Sequence, residues 1–255
     1  MKQRTYYKQI YWDQLQAARA GAPQSADIRD HIAVFRRHIA PSARVLDVGC
    51  GPGITYAPAL RQYAGQYVGV DLSLHALRQA HQRLQGVQVD LEQPLPFAGA
   101  QFDAVVCMEV LEHLFDPAEL LRHIRAVLKP AGILIVSVPN IAHIAHRVRL
   151  LGGKFVAGGH PQTADTPWCD AHIRFFTRRA LLDLLRATAF VPVRTYGTAT
   201  ALLTGMPVLS VILGRLLGRQ RLHQISDWLH PLGYWWPDLF AGHLIVVARY
   251  GDENI

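Results

Sequence analysis

The run Met108-Glu-Val-Leu-Glu-His113 places two carboxylates and an imidazole within five residues, at Glu109, Glu112 and His113. If the run forms a helical turn, these three side chains share one face and converge on a small volume. Two oxygens and one nitrogen suit a divalent ion such as Mg²⁺, Mn²⁺ or Zn²⁺. The same residues also fit a simpler arrangement, with His113 alone as a base and Glu109 and Glu112 as polar residues at a helix start. Upstream, Val45-Leu-Asp-Val-Gly-Cys-Gly-Pro-Gly53 sets Gly49, Gly51 and Gly53 directly after an apolar run. Glycine serves where the backbone must turn with positive φ or lie against a ligand with no Cβ between. Asp71 follows Gly49 by 22 residues, at the end of the next apolar run. A carboxylate so placed can accept both hydroxyls of a ribose. A dinucleotide fingerprint needs a glycine at position 54, which is Ile54, so a nicotinamide-dependent oxidoreductase is disfavoured.

The elements that must carry these residues alternate. Short apolar runs at 44–50, 67–72, 87–91, 102–109 and 133–139 are separated by helical patterns, including one at 117–128, with a turn at 129–132. This spacing predicts an α/β fold built of right-handed βαβ units around a parallel sheet with helices on both faces. Residues 6–40 read as a helical lead-in broken at Gly21-Ala-Pro23 and restarting near Ser25 or Asp27. Residues 177–188 predict a helix capped by Thr177, and 190–196 and 243–250 predict two late strands. One domain over 1–255 accommodates all of this: lead-in 1–40, cofactor half 41–139, substrate half 140–255.

Half of the 255 residues are apolar and 18% charged, a globular composition. The net charge of +7 is uneven: residues 41–139 carry seven Lys/Arg against nine acids, whereas 1–40 carry seven against three and 140–180 six against two. Basic flanks around an acidic centre favour an anionic substrate or surface, or are ordinary solvated faces. Within an apolar insertion at 197–241, residues 198–214 are uncharged but broken by Gly205 and Pro207, too short to span a bilayer. The tryptophans after them suit core packing, a lid, a dimer seam or peripheral membrane contact through 198–236. Three scattered cysteines and an N-terminus without an apolar signal core lead us to expect a cytoplasmic protein, membrane-peripheral at most.

From Val45 to about Phe190 the sequence resembles the class I S-adenosylmethionine-dependent methyltransferases. VLDVGCGPG, VGVDLS, VDLEQPLPF, FDAVVCMEVLEHLFDP and LKPAGILIVSVPN are similar to successive motifs of that family. The resemblance implies a Rossmann-like seven-stranded sheet, its last strand antiparallel and inserted beside the sixth, and S-adenosylmethionine as cofactor. It implies that the loop from Asp47 through Gly49, Gly51 and Gly53 holds the methionyl part and that Asp71 holds the ribose. Asp90 would accept the adenine amino group between Leu72 and Leu91, and Cys107, Met108 and Glu109 would pass beneath the cofactor. The long insertion before the last strand is absent from the family core.

The E-x-x-E-H pattern is further similar to two metal-dependent branches, the ubiquinone-pathway O-methyltransferases and the small-RNA 2′-O-methyltransferases. In the RNA branch a further histidine completes the site in a segment resembling Asp170-Ala-His-Ile-Arg-Phe-Phe-Thr177, which makes His172 a fourth candidate ligand beside Glu109, Glu112 and His113. Mg²⁺ or Zn²⁺ is the ion expected there, with His113 and Glu112 as the catalytic pair. His143 and His146, on a helix after Val138-Pro-Asn140, either line the acceptor pocket or are exposed helix histidines, and the second reading is the one expected. Arg147, Arg149, Lys154 and Arg174 are candidates for phosphate or carboxylate contacts. The sequence thus points to O-methylation of a small or lipid-linked hydroxylated acceptor. Its rivals are RNA 3′-terminal 2′-O-methylation and a cofactor-binding regulator without turnover. No nucleic-acid-binding module is visible, so nucleic acid is not the expected partner.

Overall fold

The computed structural model describes residues 26–153, 172–198 and 231–250, with isolated residues between 215 and 229. Helix α1 (Ala26–His38) leads into β1 (Arg44–Val48), α2 (Ala57–Tyr63), β2 (Gln66–Asp71), α3 (Leu74–Ala80) and β3 (Gln85–Gln88). Then come β4 (Phe102–Met108), a 3-10 turn (Leu111–His113), α4 (Pro117–Val127), β5 (Leu128–Pro139) and α5 (Ile144–Leu151). The last elements are α6 (Arg178–Ala187), β6 (Phe190–Gly197), the short α7 (Leu232–Trp235) and α8 (Pro237–Phe240), and β7 (His243–Tyr250). The seven strands form one sheet in the order β3-β2-β1-β4-β5-β7-β6. The first five are parallel, and β7 runs antiparallel to both β5 and β6.

Burial on both faces explains why the central strands are apolar almost throughout. On one face Val45, Val106, Ile135 and Val247 pack against Ile32, Phe35 and Ile39 of α1 and Leu60 of α2. On the other, Leu46, Val105, Leu134 and Val246 meet Leu120, Leu121 and Ile124 of α4 and Leu181 and Leu185 of α6. Helix starts follow local chemistry. Asp116 accepts from the amides of Ala118 and Glu119 ahead of α4, and Thr177 accepts from Ala180 ahead of α6, as its sequence suggested.

Two boundaries differ from expectation. β3 starts earlier, at Gln85, and ends at Gln88, because only 85–88 pair with β2, leaving Asp90 and Leu91 beyond the strand. Residues 129–132 form no free-standing turn but a bulge inside β5: Leu128 pairs with Phe102 and Ile133 with Ala104, and Ala131 takes a left-handed φ of 61° between them. The insertion's residues 199–214 and the N-terminal 1–25 lie outside the described residues.

A methyltransferase site at the carboxyl edge of the sheet

Every parallel strand delivers its last residue to one edge, and antiparallel β7 brings its first residue there, with His243 opposite Pro139. The glycine turn follows β1. Gly49, Gly51 and Gly53 all have positive φ (76°, 53° and 63°), a backbone that favours glycine at each of the three positions. A Cβ on Gly49 would lie 2.5 Å from Val110 Cγ2, so the turn packs against the residue after Glu109. Gly49→Ala therefore combines a disfavoured φ with overpacking. We expect a loss of about 2–3 kcal/mol in urea unfolding, with the cradle distorted.

Asp71 is buried at the end of β2, where its two oxygens accept from the amides of Gly51 and Ser73 at 2.9 and 2.8 Å. Each oxygen keeps a second lone pair for a ligand hydroxyl. Burial pushes Asp71 up to about 6, against the pull of the Ser73 and Gly51 amides. Asp47 is turned into the protein, where the Tyr67 hydroxyl donates to it at 2.5 Å. Burial, partly countered by that bond and reinforced by Asp71, brings Asp47 to about 7. Asp47 thus supports the turn from below. Asp90 caps its own bend by accepting from Glu92. Leu72 is half-buried at the end of β2, Leu91 lies in the core on the α4 face, and Met108 lies in the core on the α1 face.

Beyond β4 the chain does not continue as a helix. Glu109 adopts a left-handed φ of 55°, and a single 3-10 turn begins only at Leu111. The expectation that Glu109, Glu112 and His113 share one face of a helical turn is therefore corrected: the Glu109 carboxylate turns to Ser137 and His243, while its charge still acts on Glu112. Its backbone N–H donates to the Ser137 carbonyl, and Oε1 accepts from the Ser137 hydroxyl at 2.6 Å. Its Oε2 lies 3.3 Å from His243 Nε2. Glu109 leaves the candidate metal group.

Glu112, His113 and His172 do come together, with one ligand atom from each within 4.8 Å of the others. Glu112 Oε1 stands 3.7 Å from His113 Nε2 and 4.0 Å from His172 Nε2, and the two imidazoles lie 4.7 Å apart. The Glu112 carbonyl accepts from the amides of Ile173 and Arg174, which fixes the return of the distant His172 segment. Glu112 is 1% exposed, yet among the described residues neither carboxylate oxygen has a hydrogen-bond donor. A buried carboxylate left so is costly, and burial followed by the Glu109 charge pushes its protonation well above the carboxylate range. A divalent cation fits that gap: it would supply the charge the oxygens lack, and one carboxylate with two imidazoles is a donor set for it.

His143 is corrected as well. It is buried, not exposed, and caps α5 by accepting from the amide of Ala145; burial, then His146, lowers it to about 4. Arg147 and Arg174 bond the carbonyls of Ala142 and Phe115, while Lys154 lies outside the described residues.

A second polar group on this edge has no counterpart in the sequence reading. His243 sits between two carboxylates, with Nδ1 2.9 Å from Asp27 Oδ1 of α1 and Nε2 3.3 Å from Glu109 Oε2. Both nitrogens face acceptors, so both carry protons. Burial lowers the proton affinity of His243, but the charges of Glu109 and Asp27 outweigh it and hold the group at about 10. Asp27, pushed up by burial, is drawn well below the carboxylate range by His243 and then His31.

This sheet order, with a glycine turn after β1, an acid at the end of β2 and polar groups after β4, is that of a class I S-adenosylmethionine-dependent methyltransferase. A family model described as a methyltransferase domain matches residues 22–195, and the protein belongs to that family. The chain is similar to the ubiquinone biosynthesis O-methyltransferase of Xanthomonas campestris pv. campestris, 37% identical over 136 residues, covering 49% of this chain and 54% of that protein. It is also similar to the protein of the same name from Ruegeria pomeroyi, 35% identical over 160 residues, covering 60% of this chain and 62% of that one. The matches thus span only about half to three-fifths of those curated relatives. The crystal structure of the [4+2]-cyclase SpnF superposes with a TM-score of 0.63 at 22% identity, covering 97% of this chain and 94% of that one. That likeness shows the fold.

Proposed function

We propose that the protein transfers a methyl group from S-adenosylmethionine to a hydroxyl oxygen of a small or lipid-linked acceptor at a divalent-cation site. The observation that carries this reading is the Glu112 carboxylate, buried with no hydrogen-bond donor among the described residues and faced by His113 and His172. S-adenosylmethionine supplies an electrophilic methyl on a sulfonium, so the protein's task is alignment and proton removal. The glycine turn gives the donor close backbone contact, and Asp71 offers carboxylate oxygens to its ribose. Glu112, His113 and His172 would hold the cation, Mg²⁺, Mn²⁺ or Zn²⁺, which lowers the pKa of a bound hydroxyl. Were no cation held there, His113, one-fifth exposed, would be the group placed to take the proton. The names of the relatives support O-methylation. A cyclase on the same fold shows that this support comes from the site and the family, not from the sheet.

The exposed tryptophans Trp228, Trp235 and Trp236 support an acceptor presented at a lipid surface, reached by peripheral contact. No helix among the described residues is long and apolar enough to cross a membrane.

The test is transfer of label from methyl-labelled S-adenosylmethionine into fractionated extract (aqueous small molecules, lipid, RNA), with and without EDTA. We expect label in the small-molecule or lipid fraction, lost with EDTA and restored by Mg²⁺, Mn²⁺ or Zn²⁺. Transfer indifferent to EDTA would remove the cation and leave His113 as the base. Label confined to RNA would replace the acceptor class, and bound donor without transfer in any fraction would favour a regulator.

A further inference from the structure

The chain Asp27–His243–Glu109 joins the start of α1, the start of β7 and the end of β4, elements that share no local sequence. It is not core packing. Each of the three side chains keeps about 30% of its surface open (29%, 32% and 28%). Its charges do not cancel: two carboxylates flank one imidazolium, leaving one negative charge in excess. Ser137 fixes the Glu109 carboxylate by a hydrogen bond, and Thr198 accepts from the backbone N–H of His243. These fastenings make the excess charge a preorganised one, which needs no rearrangement to act on a ligand.

Its place is informative. Glu109 is the residue directly after β4, and its neighbour Val110 packs against Gly49 of the glycine turn. The group therefore stands beside the turn on the α1 side, and the Glu112, His113 and His172 group adjoins it, near enough for the charges of Glu109 and His243 to act on Glu112. With the methionyl part of the donor held by the glycine turn, as proposed above, a fixed negative charge here would face the donor's cationic end. The donor carries a sulfonium, whereas the demethylated product is a neutral thioether of otherwise nearly the same shape. Such a charge distinguishes the two.

We propose that Glu109, held by His243 and Asp27, is a specificity-determining residue that makes the protein prefer the charged methyl donor over its neutral product. This rests on the donor assignment made above. The group would thereby help expel the product after each transfer, as binding energy tied to the sulfonium disappears when the methyl leaves.

The test is the ratio of affinities for S-adenosylmethionine and S-adenosylhomocysteine, measured by titration calorimetry on the full chain in EDTA. Contacts common to both ligands cancel in that ratio, so a merely structural loosening leaves it unmoved. One unit of charge on the wall of a water-filled cleft is worth about three- to tenfold in a charged ligand's affinity. Glu109→Gln should lower the ratio by that amount and Asp27→Asn, one residue further removed, by about twofold to threefold. His243→Asn, which deletes the cation, should raise it. A ratio unchanged in Glu109→Gln and Asp27→Asn while both ligands still bind would overturn the proposal alone. Equal weakening of both ligands would reduce the group to a scaffold and also overturn it. Wild-type protein binding neither ligand would remove the donor assignment and this inference with it.

Discussion

Glu112→Gln should reduce methyl transfer by about 10²- to 10³-fold while leaving the fold and donor affinity intact. The two side chains have the same shape, and the neutral amide resembles the protonated carboxyl that burial already favours when no cation is present. The substitution therefore adds no cavity and strands no charge, and the melting temperature without added metal should hold or rise. What it removes is the single negative charge between His113 and His172. Calorimetric titration with Mn²⁺ should show binding in the wild type and none in the variant, and titration with S-adenosylhomocysteine should differ by less than threefold. Undiminished transfer by Glu112→Gln would show that the carboxylate plays no part in the chemistry.

The second large effect is on stability against pH, and it arises beneath the glycine turn. Asp47 in the folded chain holds its proton to about 7, against an ordinary value of 3.8. The folded state therefore binds more protons than the unfolded state between these values. The stabilisation is complete below pH 4 and is lost as pH rises through about 7. At 1.36 kcal/mol for each unit, the span is on the order of 4 kcal/mol at most. Asp71, raised to about 6, acts in the same direction over a narrower window. His243, raised from an ordinary 6.5 to about 10, keeps its full contribution only below pH 6.5 and loses it progressively above, so it adds to the fall between pH 6.5 and 8 in wild type and variant alike. Asp47→Asn keeps an oxygen for the Tyr67 hydroxyl but does not ionise. Urea unfolding from pH 4.5 to 8 should show a falling stability in the wild type and a distinctly flatter profile in the variant, which becomes the more stable of the two near pH 8. Parallel profiles would exclude Asp47 as the source.

The parts of this site that were legible in the sequence are those whose chemistry is local. Gly49, Gly51 and Gly53 declare a backbone that a side chain would obstruct, and Asp71 declares itself by following a second apolar strand. Glu112 and His113 are adjacent, and the His172 segment carried its own pattern. Glu109 was misplaced because a left-handed φ at a glutamate leaves no mark in composition, and without it the helical spacing of 109, 112 and 113 looks sound. The Asp27–His243 contact spans 216 residues and depends on the antiparallel insertion of β7, so no spacing rule reaches it. His143 read as exposed because periodicity gives the helix face but not that α8 would lie against the start of α5. There the Asn140 amide donates to the carbonyls of Pro237 and Ala241. The β5 bulge escaped for a related reason: Lys129-Pro-Ala-Gly132 has turn chemistry, and only the pairing of Leu128 with Phe102 shows that the strand resumes on both sides of it.

Strand β7 lies between β5 and β6 and is synthesised after the other six strands of the sheet. Until residues 243–250 emerge, β6 has no neighbour in the sheet, and the edge of β5 from Ile133 to Pro139 presents unpaired amides and carbonyls flanked by apolar side chains. A nascent chain in that condition already contains the glycine turn, Asp71 and the Glu112 group, yet carries an edge primed for pairing with another chain. Synthesis of the last strand protects that edge and delivers His243 in the same movement. Shielding from aggregation and completion of the cleft wall are thus one assembly step, and a nascent chain lacking that strand is both unguarded and unfinished.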